Sequence, residues 1–469
     1  MRGRWRDFEN KRPEKAIKLD LPTRKRKEGR VTGSGGSTAR CMPRETMSSQ
    51  SELRTASVPF DPFNKSVWYA LCGCIIAWAG LTSCATPSIP TQMSIQSETG
   101  RPFTVSAFSV PQLQGGNSNR TVSAVSLSNE WAWALLSSPT YGPSPSEARL
   151  VKISVATGQT EFGPSIRLNG TDLPPTLVGG DKYLWITSPS EEMDSYVYRT
   201  DLALGIPSRI VLQDYPADLV AGTDAVWILL GQSGKLRRVH PDSMETVAEI
   251  PTGLIPPGLW GKAWHSPRPG KTMRAIPDAY MWNEMMPRQS LAVGQDSIWV
   301  LGHKDGVVVR VDATSNQLLA SIRLDQPHTI NSGIYASILA AHGAIWVTEL
   351  RVKLGGGFIP TRDRLPGRLW KIDPATNAVA AMIEIEGDPK SMIAQGGYIW
   401  VSALDWRKKE NNHDCCLVMV DPNRNAIVDR LCIPGRGQLN LRSLSDEIWG
   451  YHPYGVTMQG GYHVTRIRP

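Results

Sequence analysis

Cysteine is sparse in this chain, with 7 in 469 residues, and 4 of them lie at or before position 84. The body keeps only Cys415, Cys416 and Cys432. Three thiols are too few for a disulfide scaffold and lack the paired spacings of a zinc finger. Surplus charge is missing from the body too. Residues 1–66 hold 16 Lys/Arg against 8 Asp/Glu, whereas the other 403 residues hold 35 of each. A neutral body offers no phosphate-tracking surface, which speaks against nucleic acid as a partner. Long apolar runs are absent except for one, Val67–Cys84, and a multi-span membrane protein is excluded. No stretch of the body sustains a 3.6-residue apolar period, so helices are not expected. The phosphate-binding Gly-rich loop, the Gly-x-Ser-x-Gly elbow, His-Glu-x-x-His and Cys-x-x-Cys are all missing. The usual sequence signs of NTPases, serine hydrolases, zinc peptidases and thiol oxidoreductases are therefore absent.

What is present begins with a basic N-terminal extension. Residues 1–66 carry the run Arg24-Lys25-Arg26-Lys27 and a Gly/Ser stretch at Gly33–Thr38, which reads as disorder. A start at Met47 would place translation shortly before the first organised feature. That feature is Val67–Cys84, 18 uncharged residues preceded by Lys65. It has the length of a signal-peptide core. Its end, Leu81-Thr82-Ser83-Cys84, resembles the bacterial lipobox. The resemblance implies a lipid on Cys84, and Ala85 resembles the sorting signal of outer-membrane lipoproteins. The expectation is an outer-membrane lipoprotein whose body faces the periplasm. The alternative is an uncleaved inner-membrane signal anchor with the body on the same side. Residues 85–101 read as a polar tether.

The rest of the chain repeats. LVAGTDAVWI, LAVGQDSIWV, ILAAHGAIWV and MIAQGGYIWV each give an apolar strand, a short Gly/Asp turn and a Trp inside a second strand. The equivalent tryptophans are Trp133, Trp185, Trp227, Trp299, Trp346, Trp400 and Trp449. A second half follows each, as in VVRVDATSNQLLASIRL and LWKIDPATNAVAAMIEI. Its turn runs from Asp312, Asp373 or Asp421 to Asn316, Asn377 or Asn425. Asp bonds its own turn backbone, and Asn tolerates the left-handed conformation. Seven units of four strands predict an all-β fold, a seven-bladed β-propeller over 102–469 with an insertion at 252–289. The last unit stops after its third strand, and Pro102–Pro111 precedes the first as a spare strand. Pairing the two would close the ring with an N-terminal strand and remove its open edges. Cys415, Cys416 and Cys432 flank the turn at Asp421–Asn425, so Cys432 is expected opposite Cys415 or Cys416 as a disulfide candidate.

The Trp strand and the Asp-Pro-x-x-Asn turn resemble the bacterial extracytoplasmic propellers that include YVTN-repeat proteins and virginiamycin B lyase. The resemblance implies the fold more than the function, because propellers host many activities. Trp346-Val347-Thr348-Glu349 is similar to a lyase segment whose Glu helps hold Mg²⁺. Arg351 stands where that lyase has a catalytic His, a departure from the pattern.

In such a blade the loop after the Trp strand and the loop between blades share one end, called here the top. Three long loops are expected there, at 252–289, 350–368 and 404–414. The residues next on the Trp strands are His303, Glu349, Asp405 and His452. Glu349, His452 and His303 are the candidate acid–base residues, and Glu349 with Asp405 the candidate metal ligands, with Mg as the possible ion. Arg351, Lys353, Arg362, Arg364, Arg407 and Lys408 form a candidate basic rim, to which Trp264 and His265 of the insertion add. Two functions follow. The first is a non-catalytic envelope protein that binds a protein partner or an anionic small molecule or glycan. The second is a Mg-dependent lyase or hydrolase centred on Glu349.

Overall fold

An apolar run of five or six residues between Gly/Asp turns is too short for a core helix, and it buries both faces only when sandwiched. The computed structural model shows that arrangement. It describes residues 91–109, 121–128, 130–137, 146–157, 159–168, 175–190, 194–254, 289–303, 306–324, 333–354, 360–405, 414–434, 439–444, 446–451 and 463–468. The extension 1–66, the apolar segment 67–84 and most of the insertion 252–289 lie outside the described residues.

The described strands form seven antiparallel sheets, each following chain order from its first strand outward. Blade one runs from Thr121–Leu127 to Thr160–Leu168, blade two from Leu177–Gly179 to Ser208–Leu212, and blade three from Pro216–Ala221 to Thr246–Pro251. Blade four spans Leu291–Gly294 to Leu318–Arg323, blade five Gly333–Ala341 to Ala378–Ile385, and blade six Asp388–Gln395 to Ala426–Ile433. In blade seven Asn440–Leu444, Glu447–Tyr451 and His463–Arg468 are completed by Pro102–Ser109 from the N-terminal side. The first strands of successive blades touch all the way round, blade seven meeting blade one. Those of blades four and five run parallel, bridged at Gln289 and Ser337. The chain is a seven-bladed β-propeller.

Two features differ from the sequence expectation. Thr91–Gln96, read as part of a polar tether, is a strand that pairs with Pro102–Ser109 and gives blade seven a fifth strand. Residues 350–368, read as a loop, begin by continuing the second strand of blade five. Ala344–Leu354 runs past its neighbours and pairs with Pro360–Arg364. Polar composition and three consecutive glycines, Gly355 to Gly357, hid both strands.

Burial falls from the ring's interior to its rim. Second strands such as Val226–Leu230 and Ser297–Gly302 are buried at every residue, because a blade covers each face. Outer strands such as Leu318–Arg323 are mostly wet, with Ile322 alone buried there. Among the described residues seven apolar clusters fill the seven interfaces. Each of the seven equivalent tryptophans is at most 5% exposed and packs toward the following blade. Truncating such a residue costs about 3–5 kcal/mol.

The cross-strand partner of that Trp is a Lys or Arg in six blades. In five of them the cation reaches on into the next blade. Arg310 donates to the Pro374 carbonyl at 2.6 Å and to Asn377 Oδ1 at 3.0 Å. Lys371 treats Pro422 and Asn425 alike, Arg238 reaches Thr314 and Asn316, Arg199 reaches Pro241, and Arg466 reaches Val155. Asn316, Asn377 and Asn425 have φ of 61°, 53° and 50°, the left-handed region that Asn tolerates. The Asp-to-Asn turn is therefore a latch acceptor as well as a bend. Blade six breaks the series, with Met419 opposite Trp400. There Asp429 takes over, accepting Ser97 Oγ at 2.7 Å, Thr99 Oγ1 at 2.7 Å and the Thr99 amide at 3.1 Å from the N-terminal arm.

Candidate functional site

The start of each first strand and the end of each second strand meet at the top. Polar side chains there are buried rather than solvated. Asp218, Ser290, His303, Glu349, Asp388, Lys390, Asp405 and Asp414 are all under 9% exposed. Such groups persist only when bonded.

The bonds run from blade to blade. Asp218, at the start of blade three, accepts the amides of Ser290 at 2.6 Å and Leu291 at 2.9 Å in blade four. Burial pushes its carboxyl up to about 7, against the pull of the Leu219, Ser290 and Leu291 amides. Ser290 Oγ lies 2.6 Å from His303 Nε2, and His303 Nδ1 lies 2.5 Å from the Tyr335 carbonyl of blade five. A carbonyl only accepts, so Nδ1 carries the proton and Nε2 accepts from the Ser290 hydroxyl. Burial pushes His303 down to about 4, against the opposing pull of the Tyr335 carbonyl, and the ring is neutral at pH 7. Hydroxyl, imidazole and orienting acceptor stand in the order that activates a nucleophile. Here, though, Ser290 is only 2% exposed and His303 only 7%.

Tyr335 is also the register partner of Glu349, so its strand lies between His303 of blade four and Glu349 of blade five. Glu349 is fully buried, accepts the Trp370 indole N–H at 2.8 Å and lies 3.7 Å from the Arg368 guanidinium. Thr348 donates to the Lys390 carbonyl of blade six, and Ser391 accepts the Leu441 amide of blade seven. Among the described residues the one group of three possible ligands is Asp405, Cys416 and Cys432. Cys416 and Cys432 are disulfide-bonded, and Cys415 is a buried free thiol.

Arg351 stands 3.9 Å from Glu384 and is 22% exposed at its side chain. Lys353, Arg362 and Arg364 lie on the hairpin strands, their side chains outside the described residues. Cys84, Trp264, His265, Arg407, Lys408 and His452 also fall outside. Sequence reasoning missed Asp218 and Ser290. Their signal was present: Asp218 interrupts the apolar start of PADLVAG, at the position where a β-bulge between Pro216 and Asp218 re-aims the first strand.

Comparison with known proteins adds fold and no more. No family model matches the sequence, and no curated protein sequence does. The structure is similar to that of hydrazine synthase from Kuenenia stuttgartiensis, with a TM-score of 0.51, 11% identity, and coverage of 77% of this chain and 99% of that one. Dihydro-heme d1 dehydrogenase NirN, solved in complex with DHE, matches at a TM-score of 0.41 and 14% identity, over 75% of this chain and 68% of its own. Apo AztD from Citrobacter koseri matches at 0.41 and 9%, over 78% and 89%. The likeness is one of fold.

Proposed function

We propose that this chain is a non-catalytic binding propeller, tethered to the periplasmic side of the outer membrane by a lipid on Cys84, whose top engages an anionic partner. The observation that carries this reading is the hairpin of blade five. It continues a buried central strand beyond its neighbours. Over 351–368 the sequence holds five basic residues, Arg351, Lys353, Arg362, Arg364 and Arg368, against Asp363 alone. A strand whose sequence carries basic positions at a ring's edge suits recognition of an anion. The ionisable groups beneath it are already engaged within the fold. Glu349 is occupied by Trp370 and Arg368, and His303 uses both ring nitrogens. That occupancy favours binding over the Mg-dependent lyase centred on Glu349.

The test compares the full chain with a variant carrying Arg351→Gln, Lys353→Gln, Arg362→Gln and Arg364→Gln. Both are loaded on a sulfated polysaccharide matrix and eluted with salt. The basic N-terminal extension is common to both and cancels. The variant is expected to elute at clearly lower salt, since fewer counterions are displaced. Coincident elution would remove the hairpin from the binding surface.

A further inference from the structure

The register of blade six places four chemistry-bearing side chains on one face. Asp405 pairs with Asp414, and Cys416 pairs with Cys432. Direct partners share a face, as do residues two apart on one strand. Asp405, Asp414, Cys416 and Cys432 therefore stand together, while Cys415 points to the other face between its partners Leu404 and Ile433. Asp405 Oδ2 is 3.9 Å from Cys416 Sγ, and single ligand atoms of Asp405, Cys416 and Cys432 lie within 4.8 Å of one another.

The disulfide hides what this group becomes when the bond opens. The flanking ladder holds both cysteines face to face whether or not the sulfurs are joined. Two thiolates beside a carboxylate would put three negative charges in a site where Cys416 and Asp405 are buried. Like charges in such a place are unfavourable without a cation. A zinc ion with ~2.3 Å bonds to sulfur holds two thiolates about 3.8 Å apart, and side-chain rotation alone supplies that opening. Two sulfurs and one carboxylate oxygen select a thiophilic ion over Mg²⁺.

We propose that Cys416, Cys432 and Asp405 form a redox-gated site for a thiophilic divalent cation such as Zn²⁺, closed as the disulfide and opened by a dithiol reductant. The reductant's thiolate attacks Sγ of Cys432, the less buried residue of the pair, and Cys416 leaves as a thiolate. The reductant's second thiol resolves the mixed disulfide and releases Cys432. Two electrons and two protons pass to the protein, and the reductant leaves as its own disulfide. The cation then displaces the two thiol protons, with Asp405 as third ligand and Asp414 or water as fourth.

The test titrates Co²⁺, as a spectroscopic substitute for Zn²⁺, into the full chain, oxidised or reduced with a phosphine under anaerobic conditions. The expected result is one equivalent with cobalt–thiolate charge-transfer absorption in the reduced protein and none in the oxidised protein. Cys432→Ser is expected to abolish the signal, Asp405→Asn to weaken binding at least tenfold, and Cys415→Ser to change neither. The four N-terminal cysteines make one control essential: a signal that survives Cys416→Ser with Cys432→Ser overturns the proposal. So do the absence of binding after reduction, equal binding in both redox states, and loss of the β-sheet circular dichroism on reduction.

Discussion

Replacing Asp429 by Ala removes the acceptor for Ser97 Oγ, Thr99 Oγ1 and the Thr99 amide, and leaves Arg101, 3.8 Å away, without its counter-charge. Hydrogen bonds to a charged group are each worth about 1.5–3 kcal/mol, but these share one carboxylate and do not add. Arg101 is half exposed and is not left as a buried charge, so the bonds set the scale, about 2–3 kcal/mol. That is a large part of the 5–15 kcal/mol typical of a folded domain. Urea unfolding of the full chain gives the total. Hydrogen exchange locates it, and protection is expected to vanish first over Thr91–Gln96 and Pro102–Ser109. Asp312→Ala, at an exposed turn of another blade, serves as a control and is expected to leave exchange in the arm unchanged. The carboxyl of Asp429 is pushed up by burial but held below its ordinary value by the hydrogen bonds of Ser97, Thr99 and the Arg430 amide. Its contribution is thus complete above the unfolded carboxyl range near pH 4 and is lost as pH falls through the lower folded value. The arm should open ahead of the blades in acid. A destabilisation under about 1 kcal/mol, or unchanged exchange in the arm, would refute the reasoning.

The other predictions concern the latches, the top and the tether. Asn377→Ala forces a Cβ-bearing residue to hold φ near 53° and strips an acceptor from Arg310, so a loss of about 1–2 kcal/mol is expected in urea. Asn377→Gly should cost less, since Gly keeps the backbone. Asp218 binds a proton in the fold between pH 3.8 and about 7 that it has lost in the unfolded chain, so it lowers stability as pH rises through that window. At 1.36 kcal/mol per tenfold the effect reaches roughly 4 kcal/mol as an upper bound. His303 has the opposite sign, its stabilising contribution being lost as pH falls from 6.5 to about 4. Asp218→Asn should therefore leave a Tm profile that rises to about pH 6.5 and stays flat above it. Glu349→Ala strands Arg368 and is expected to cost about 3–5 kcal/mol, while Mg²⁺ and EDTA leave the wild-type Tm unchanged. Cys84→Ser should move the protein from the membrane fraction to the soluble fraction after cell lysis.

Much of this architecture was legible in the chain, for a physical reason. A blade is a local hairpin series, so its strands, its Trp and its turns all fall within about fifty residues. Ring closure was legible as well, because an unpaired third strand at one end and a spare strand at the other imply each other. Contacts between blades were harder to read. Asn377 is recognisable as a left-handed turn residue, but its partner Arg310 lies in the preceding unit. Cys415 and Cys416 are neighbours in sequence and opposites in space, and only the register across Asp421–Asn425 tells which one meets Cys432. Ser290 and His303 sit in no motif, since a first strand and a second strand bring them together at one rim. Glu349 stood out because it resembled a ligand, whereas its indole and guanidinium partners come from the third strand.

The latches have a direction, each cation belonging to one blade and each receiving turn to its successor. At the joint between blades six and seven both halves are missing: Met419 replaces the cation, and the paired strands His463–Arg468 and Pro102–Ser109 are not joined by a tight turn. A circular permutation shows what that means. Cutting within 252–289 and linking Arg468 to Pro102 by an Asp-Pro-Ala-Thr-Asn turn would make blade seven one continuous hairpin series. The arm before Pro102 would then have no edge to close. Met419→Lys would supply the missing cation, and the weakest joint of the ring would then be latched like the five that Arg199, Arg238, Arg310, Lys371 and Arg466 hold.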